Sequence, residues 1–228
     1  MPANVVLTGL SRELIALRAS RELEDGTYVN LGIGIPTLVS NWIAGRSIVT
    51  HSEIGALGIG PIAIEDEVDP DLINASGQPV TELPGASYFS IVESFNMIRG
   101  GHIDAAVLGA LQVSEHGDLA SWSNPERGLP RKLGNVGGSM DLAVGAKKVI
   151  VTMEHTTNDG QPKIVTECTY PLTATRVVKL VITNLAVIEV TLKGLLLREV
   201  YPGLTPEQVQ SVTGAELKVA ADLKDIQL

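Results

Sequence analysis

Tyr28-Val29-Asn30-Leu31-Gly32-Ile33-Gly34-Ile35-Pro36 is the stretch from which the fold can be read. Its first four residues suit a short strand. Gly32 and Gly34 suit a sharp turn, and Pro36 fits the first turn of a helix that the sequence carries to Ile43. A strand that turns through glycines into a helix is a βα unit, and such a turn can hold an anion on its backbone amides. The Gly-x-Gly is half of a dinucleotide fingerprint without the third glycine, so by itself it need only close the connection.

The same alternation continues on both sides. Upstream, Ser11 can cap a helix to about Leu23, with Leu14, Ile15, Leu17 and Ala19 on one side. Downstream, Ser47–Thr50, Ile103–Gly109, Lys147–Met153, Val177–Ile182 and Ala186–Val190 read as buried strands, with a turn at Gly194-Leu195 into Leu196–Val200. Ser87–Met97 reads as helix, and a short helix starts within Gly134–Leu142. Thr205 and Gln208 form a capping box for a late helix. Ser114–Asp118 reads as a hairpin turn, and the chain after Glu53 reads as irregular. The expectation is an α/β fold, a single compact domain over residues 1–228 with a mainly parallel sheet flanked by helices.

Against that frame of apolar strands, Thr50-His51-Ser52-Glu53-Ile54-Gly55-Ala56-Leu57-Gly58-Ile59-Gly60-Pro61 places one acid between a strand end and a run of glycines. The glycines exclude a helix and let backbone approach a ligand. In α/β proteins the carboxyl ends of strands are where ligands bind. Glu53 therefore reads as a nucleophilic or general-base carboxylate, or as a cap on a neighbouring helix. His51 falls on the same side of the strand and reads as space-filling, the other reading being that it tunes the acid.

Composition excludes several classes. The 228 residues carry a net charge of −9 and only 4% aromatics, which fits neither a nucleic-acid groove nor a stacking platform. Glu65, Asp66, Glu67, Asp69 and Asp71 read as a solvated loop, since calcium-loop spacing is absent, and no metal is expected. The single cysteine, Cys168, has no base beside it and reads as structural. No Gly-x-Ser-x-Gly elbow supports a serine hydrolase. With no apolar run of 18 residues and no signal-peptide pattern, a soluble cytoplasmic protein without membrane contact is expected.

Several motifs together carry a resemblance. Asn30–Pro36, Ser52-Glu53-x-Gly55 and Gly137-Gly138-Ser139-Met140-Asp141-Leu142 resemble the β subunit of family I CoA-transferases, among them the 3-oxoacid, 3-oxoadipate and acetoacetate enzymes. Asp71–Ala75, Met97–Asp104 and Glu167–Thr173 fit the same pattern, and the matches run in order from about residue 11 to 217. The resemblance implies that Glu53 attacks an acyl-CoA thioester and becomes a glutamyl-CoA thioester. It implies that Asn30 orients Glu53 or donates to an oxyanion, and that Gly32, Gly34, Gly137, Gly138 and Ser139 hold CoA or substrate and supply oxyanion amides. CoA is then a substrate, and no cofactor is expected.

The family's usual Ser-Glu-Asn-Gly reads Ser52-Glu53-Ile54-Gly55 here, which bears on the acyl group more than on the reaction. The Gly-Gly-Phe-Gly type of segment that an α chain supplies is absent from this sequence, so an α partner in an α2β2 assembly is implied. An acyl-CoA hydrolase and a non-catalytic ligand-binding subunit are the alternatives.

Overall fold

A computed structural model describes residues 7–124 and 137–228. Gly134, Asn135 and Val136 of the third glycine cluster lie outside the described residues. The chain opens with α1 (Arg12–Ser20), capped by the Ser11 hydroxyl, and continues into β1 (Tyr28–Leu31). The glycine turn then leads into a 3-10 helix, Ile35–Trp42, where the sequence suggests an α-helix. The reason is local. Thr37 Oγ1 bonds back to Gly34 O at 2.7 Å and Ser40 Oγ to Thr37 O at 2.8 Å, so side chains occupy carbonyls that an α-turn would use.

Next come β2 (Val49–Ser52), β3 (Ala56–Ile62), β4 (Val80–Tyr88) and α2 (Ile91–Arg99), capped by a Ser90/Glu93 box. They are followed by β5 (Ala105–Gly109) and a hairpin of β6 (Gln112–Ser114) and β7 (Leu119–Ala120). α3 (Ser139–Gly145), β8 (Lys148–Met153), β9 (Ile164–Val165), β10 (Val178–Thr183), β11 (Ala186–Thr191) and β12 (Gly194–Val200) lead to α4 (Pro206–Ser211) and β13 (Leu217–Asp225). Thr205 and Gln208 form the expected capping box.

Ten strands make one sheet in the order β13-β12-β11-β10-β8-β5-β1-β2-β3-β4. Its middle, from β10 through β8, β5 and β1 to β2, is parallel, as the buried apolar runs imply. Antiparallel pairs extend it on both sides. β6, β7 and β9 form a small second sheet. The region after Glu53 is not irregular: β3 and β4 pair through bulges at Leu57/Ile59 and Ile59/Ile62. Gly58, at φ +77, lies 3.0 Å (by its would-be Cβ) from the Ala86 backbone, so the glycines that obscure this strand are what allow its bends.

Alternation sends opposite faces of the sheet into two cores. Val29, Val107 and Ile150 pack under Ile15, Ala16 and Ala19 of α1 and Val39 of the 3-10 helix. Ala106, Leu108, Val149 and Val151 face Ile98 of α2, Leu142 of α3 and Val209 of α4. Asn30 pairs with Ala106 on one side and His51 on the other, so both polar residues lie on the α2 face. Strand order reverses at β1: the chain passes to β2 on one side and later returns as β5 on the other. The crevice beyond the carboxyl ends of β1 and β5 is therefore the topological switch point at which open α/β sheets bind ligands.

Candidate active site

A cleft of about 330 Å³ occupies that crevice. One wall is the turn after β1, at Gly32 and Ile33. Facing it is the end of β5 and its continuation, Leu108 to Leu111. Gly137, Gly138 and Ser139, where α3 begins, close a third side, and Glu53 stands at the edge. The walls formed by Leu108–Leu111 and the neighbouring Ser121 carry no motif that marks them in the sequence. Their signal is topological: once β5 lies beside β1, its end must border the same crevice.

Glu53 begins the Glu53-Ile54-Gly55 connection between β2 and β3, which Gly55 N closes onto Ser52 O at 3.0 Å. Gly55 has φ +119, and a Cβ there would collide with the Phe89 carbonyl oxygen. Phe89 N in turn donates to Gly55 O at 3.0 Å, so the end of β4 clamps the turn that carries the acid. Ile54, beside it, is 50% exposed.

Asn30 is wholly buried beneath Glu53. Its Nδ2 lies 3.3 Å from Glu53 Oε2, 3.1 Å from the His51 carbonyl oxygen and 3.0 Å from His51 Nδ1. His51 is buried too, with Nε2 2.9 Å from Ser94 Oγ on α2 and its ring stacked on Phe89. Burial pushes its pKa down to about 4, so the ring is neutral at ordinary pH. The space-filling reading of His51 needs correction: both ring nitrogens are hydrogen-bonded, and one bond leads through Asn30 to Glu53. No single-strand pattern could show this, because the contact depends on β1 and β2 being neighbours in register.

The glycines separate into two groups. A Cβ on Gly138 would stand 3.3 Å from Glu53 Cγ and 3.1 Å from Phe95 Cζ, so backbone here approaches the acid as closely as side-chain-free chain permits. Gly137 and Ser139 flank it in the cleft. Gly32 also lines the cleft, but its N–H donates to Val107 O at 2.9 Å. Gly34, at φ +90, lies off the cleft lining and its N–H donates to Ser76 Oγ at 3.4 Å. The start of α3 is thus the glycine stretch whose backbone approaches Glu53.

The other chemistry-bearing residues lie elsewhere. His116 is exposed, and Cys168 is half-buried with its pKa raised to about 11 by burial and by Asp118. His155 is fully buried between Thr183 Oγ1 at 2.9 Å and Thr213 Oγ1 at 2.8 Å. The acids from Glu65 to Asp71 are exposed. Among the described residues no group of three or more His, Cys, Asp and Glu side chains is placed to hold a metal ion, and no helix is long and apolar enough to cross a membrane.

Comparison with known proteins agrees with this geometry. Residues 12–211 match the family model described as Coenzyme A transferase. The chain is 51% identical over 209 residues to the B-type subunit of the succinyl-CoA:3-ketoacid coenzyme A transferase of Helicobacter pylori, covering 91% of this chain and 99% of that one. It is 48% identical over 209 residues to the B-type subunit of the 3-oxoadipate CoA-transferase of Pseudomonas putida, covering 91% and 96%. In structure it resembles an acyl-CoA transferase of Escherichia coli O157:H7 solved as a thioester complex with CoA, at a TM-score of 0.73 and 21% identity. That match covers 97% of this chain and spans 44% of the E. coli one, and it bears on the fold alone.

Proposed function

The chain belongs to the coenzyme A transferase family, and on that premise we propose that it is the β-type subunit of a two-chain enzyme. The complex moves CoA from an acyl-CoA such as succinyl-CoA to a 3-oxoacid through a glutamyl-CoA thioester on Glu53. A Glu53 oxygen attacks the thioester carbonyl, and the C–S bond breaks to give an acyl-glutamyl anhydride and CoA thiolate. The thiolate attacks the glutamyl carbonyl, releasing the first carboxylic acid and leaving CoA on Glu53. The acceptor carboxylate runs both steps in reverse and departs as its CoA ester, which makes the kinetics ping-pong. No group beyond the two substrates is consumed.

The observation that carries the reading is the contact of Glu53 with the Gly138 backbone at the switch-point cleft, with the Asn30 amide 3.3 Å from its carboxylate. A carboxylate is a weak nucleophile and gains most from being held in place. Each acyl exchange also passes through an oxyanion, for which fixed donors close to Glu53 are needed. The relatives at about half identity are named as one of two lettered subunits, which supports an α partner, and we assign an α2β2 assembly acting in the cytoplasm.

The test is an assay of the chain co-purified with its α partner, following acyl-CoA formed from the second acid and free CoA released. Transfer without net CoA release is expected, and Glu53→Gln abolishes it. Release of CoA irrespective of acceptor acid would instead mean a hydrolase, and full activity in Glu53→Gln would mean that the acid has no catalytic part.

A further inference from the structure

The contacts of Asn30 fix more than its own position. Nδ2 faces three atoms, and two of them, the His51 carbonyl oxygen and the Glu53 carboxylate, can only accept. The atom there is therefore the NH2 and not the amide oxygen. An NH2 at 3.0 Å from His51 Nδ1 requires that nitrogen to be unprotonated. The ring hydrogen is then on Nε2, donated to Ser94 Oγ at 2.9 Å, and the Ser94 hydroxyl donates onward to Ser52 O at 3.3 Å. Every bond in the chain has one allowed direction.

The arrangement carries a cost that a merely structural asparagine would avoid. Asn30 Oδ1 is buried and has no hydrogen-bond partner among the described residues. Such an atom costs on the order of 1–3 kcal/mol, and the amide keeps this orientation because acceptors lie at its other end. Were the His51 acceptor lost, the amide could turn. Its oxygen would then face the Glu53 carboxylate and repel it.

We propose that His51 is a positioning residue for Glu53: its Nδ1 lone pair, set by Ser94, locks the Asn30 amide with its NH2 toward the carboxylate and so holds the attacking oxygen at the cleft edge. This rests on Glu53 being the acylated residue. His51 touches no substrate and acts only through Asn30.

The test uses the complex with the α partner. His51→Met keeps similar volume but offers no nitrogen acceptor, and it is expected to lower kcat by about tenfold to a hundredfold with KM for acyl-CoA within about twofold. His51→Gln can accept from Asn30 through its oxygen and donate to Ser94 through its nitrogen, so it restores kcat to within a few-fold. Nitrogen NMR of histidine-labelled wild-type complex should show His51 protonated on Nε2 and bare on Nδ1. Wild-type kcat in a folded His51→Met, or failure of His51→Gln to rescue, overturns the proposal. If His51→Met does not fold, the NMR result decides alone, since a proton on Nδ1 contradicts it. The adduct separates this inference from the reading it rests on. Were Glu53 not the acylated residue, the wild type itself would carry no CoA there. Were His51 idle, the adduct would form in His51→Met at the wild-type rate.

Discussion

His51 and His155 make an informative pair. Both are buried, both have hydrogen-bonded ring nitrogens, and burial pushes both pKa values down to about 4, with the Lys163 charge adding to the effect at His155. The His155 bonds end on Thr183 and Thr213, hydroxyls that are themselves tied to backbone at Ala186 and Val209. The His51 bonds lead through Asn30 to a carboxylate at the mouth of a cleft. Burial and lowered basicity therefore do not distinguish a working histidine from a structural one, whereas the end point of its hydrogen bonds does.

The strongest way to break that contrast is at the end point itself. Glu53→Gln keeps the shape of the side chain and removes the nucleophile, so transfer should fall by on the order of 10⁴-fold or more with the melting temperature nearly unchanged. Retained turnover, read as acceptor-dependent acyl-CoA formation, would leave the His51 chain ending on nothing functional.

What the two histidines share should appear in acid. Both are neutral when folded, with pKa about 4 against 6.5 unfolded. Above pH 6.5 neither state binds the proton and nothing changes. Between 6.5 and 4 the unfolded chain takes up protons that the folded chain refuses. Stability should then drop by about 1.4 kcal/mol per pH unit for each histidine, on the order of 3 kcal/mol each, levelling off below about pH 4. Denaturant melts across that range should show His155→Gln removing about half of this joint contribution while leaving turnover of the folded complex unchanged. An acid response identical to wild type would show that His155 is not held neutral.

Two smaller changes probe the cleft. Gly138→Ala is compatible with φ −84, but its methyl presses on Glu53 Cγ and Phe95 Cζ. Turnover should fall roughly tenfold or more through displacement of the acid, with little loss of stability. An unchanged kcat would mean that the acid is not confined from that side. Ile54→Asn alters a half-exposed side chain next to the nucleophile. Stability should move by less than about 0.5 kcal/mol, while the ratio of kcat/KM between acceptor acids shifts a few-fold. A constant ratio across a panel of acids would remove Ile54 from the acyl pocket.

Much of this is legible in the chain itself, and the rest has physical reasons for being hidden. β1 at Tyr28–Leu31, the Ser11 cap and the Thr205/Gln208 box follow from residues next to one another, which local chemistry decides. The 3-10 helix reads as an α-helix in sequence because the back-bonding of Thr37 and Ser40 depends on a backbone geometry that spacing does not reveal. β3 and β4 are obscured because glycine at a bulge and glycine in a loop look alike in one dimension. β13 leaves little trace, since its outward-facing polar residues give weak apolar alternation. At the site, Glu53, Asn30 and Gly138 can be named from motifs. The parts played by His51, Ser94 and Leu108–Leu111 require knowing that β1 lies between β2 and β5.

The central claim is that Glu53 carries CoA during turnover. The complex with the α partner can be incubated with succinyl-CoA alone, quenched in acid, digested and mapped by tandem mass spectrometry. The peptide containing Glu53 should gain the mass of CoA less one water, and later addition of a 3-oxoacid should discharge it. CoA on any other residue, or no covalent CoA in an enzyme that still transfers it, would contradict the account.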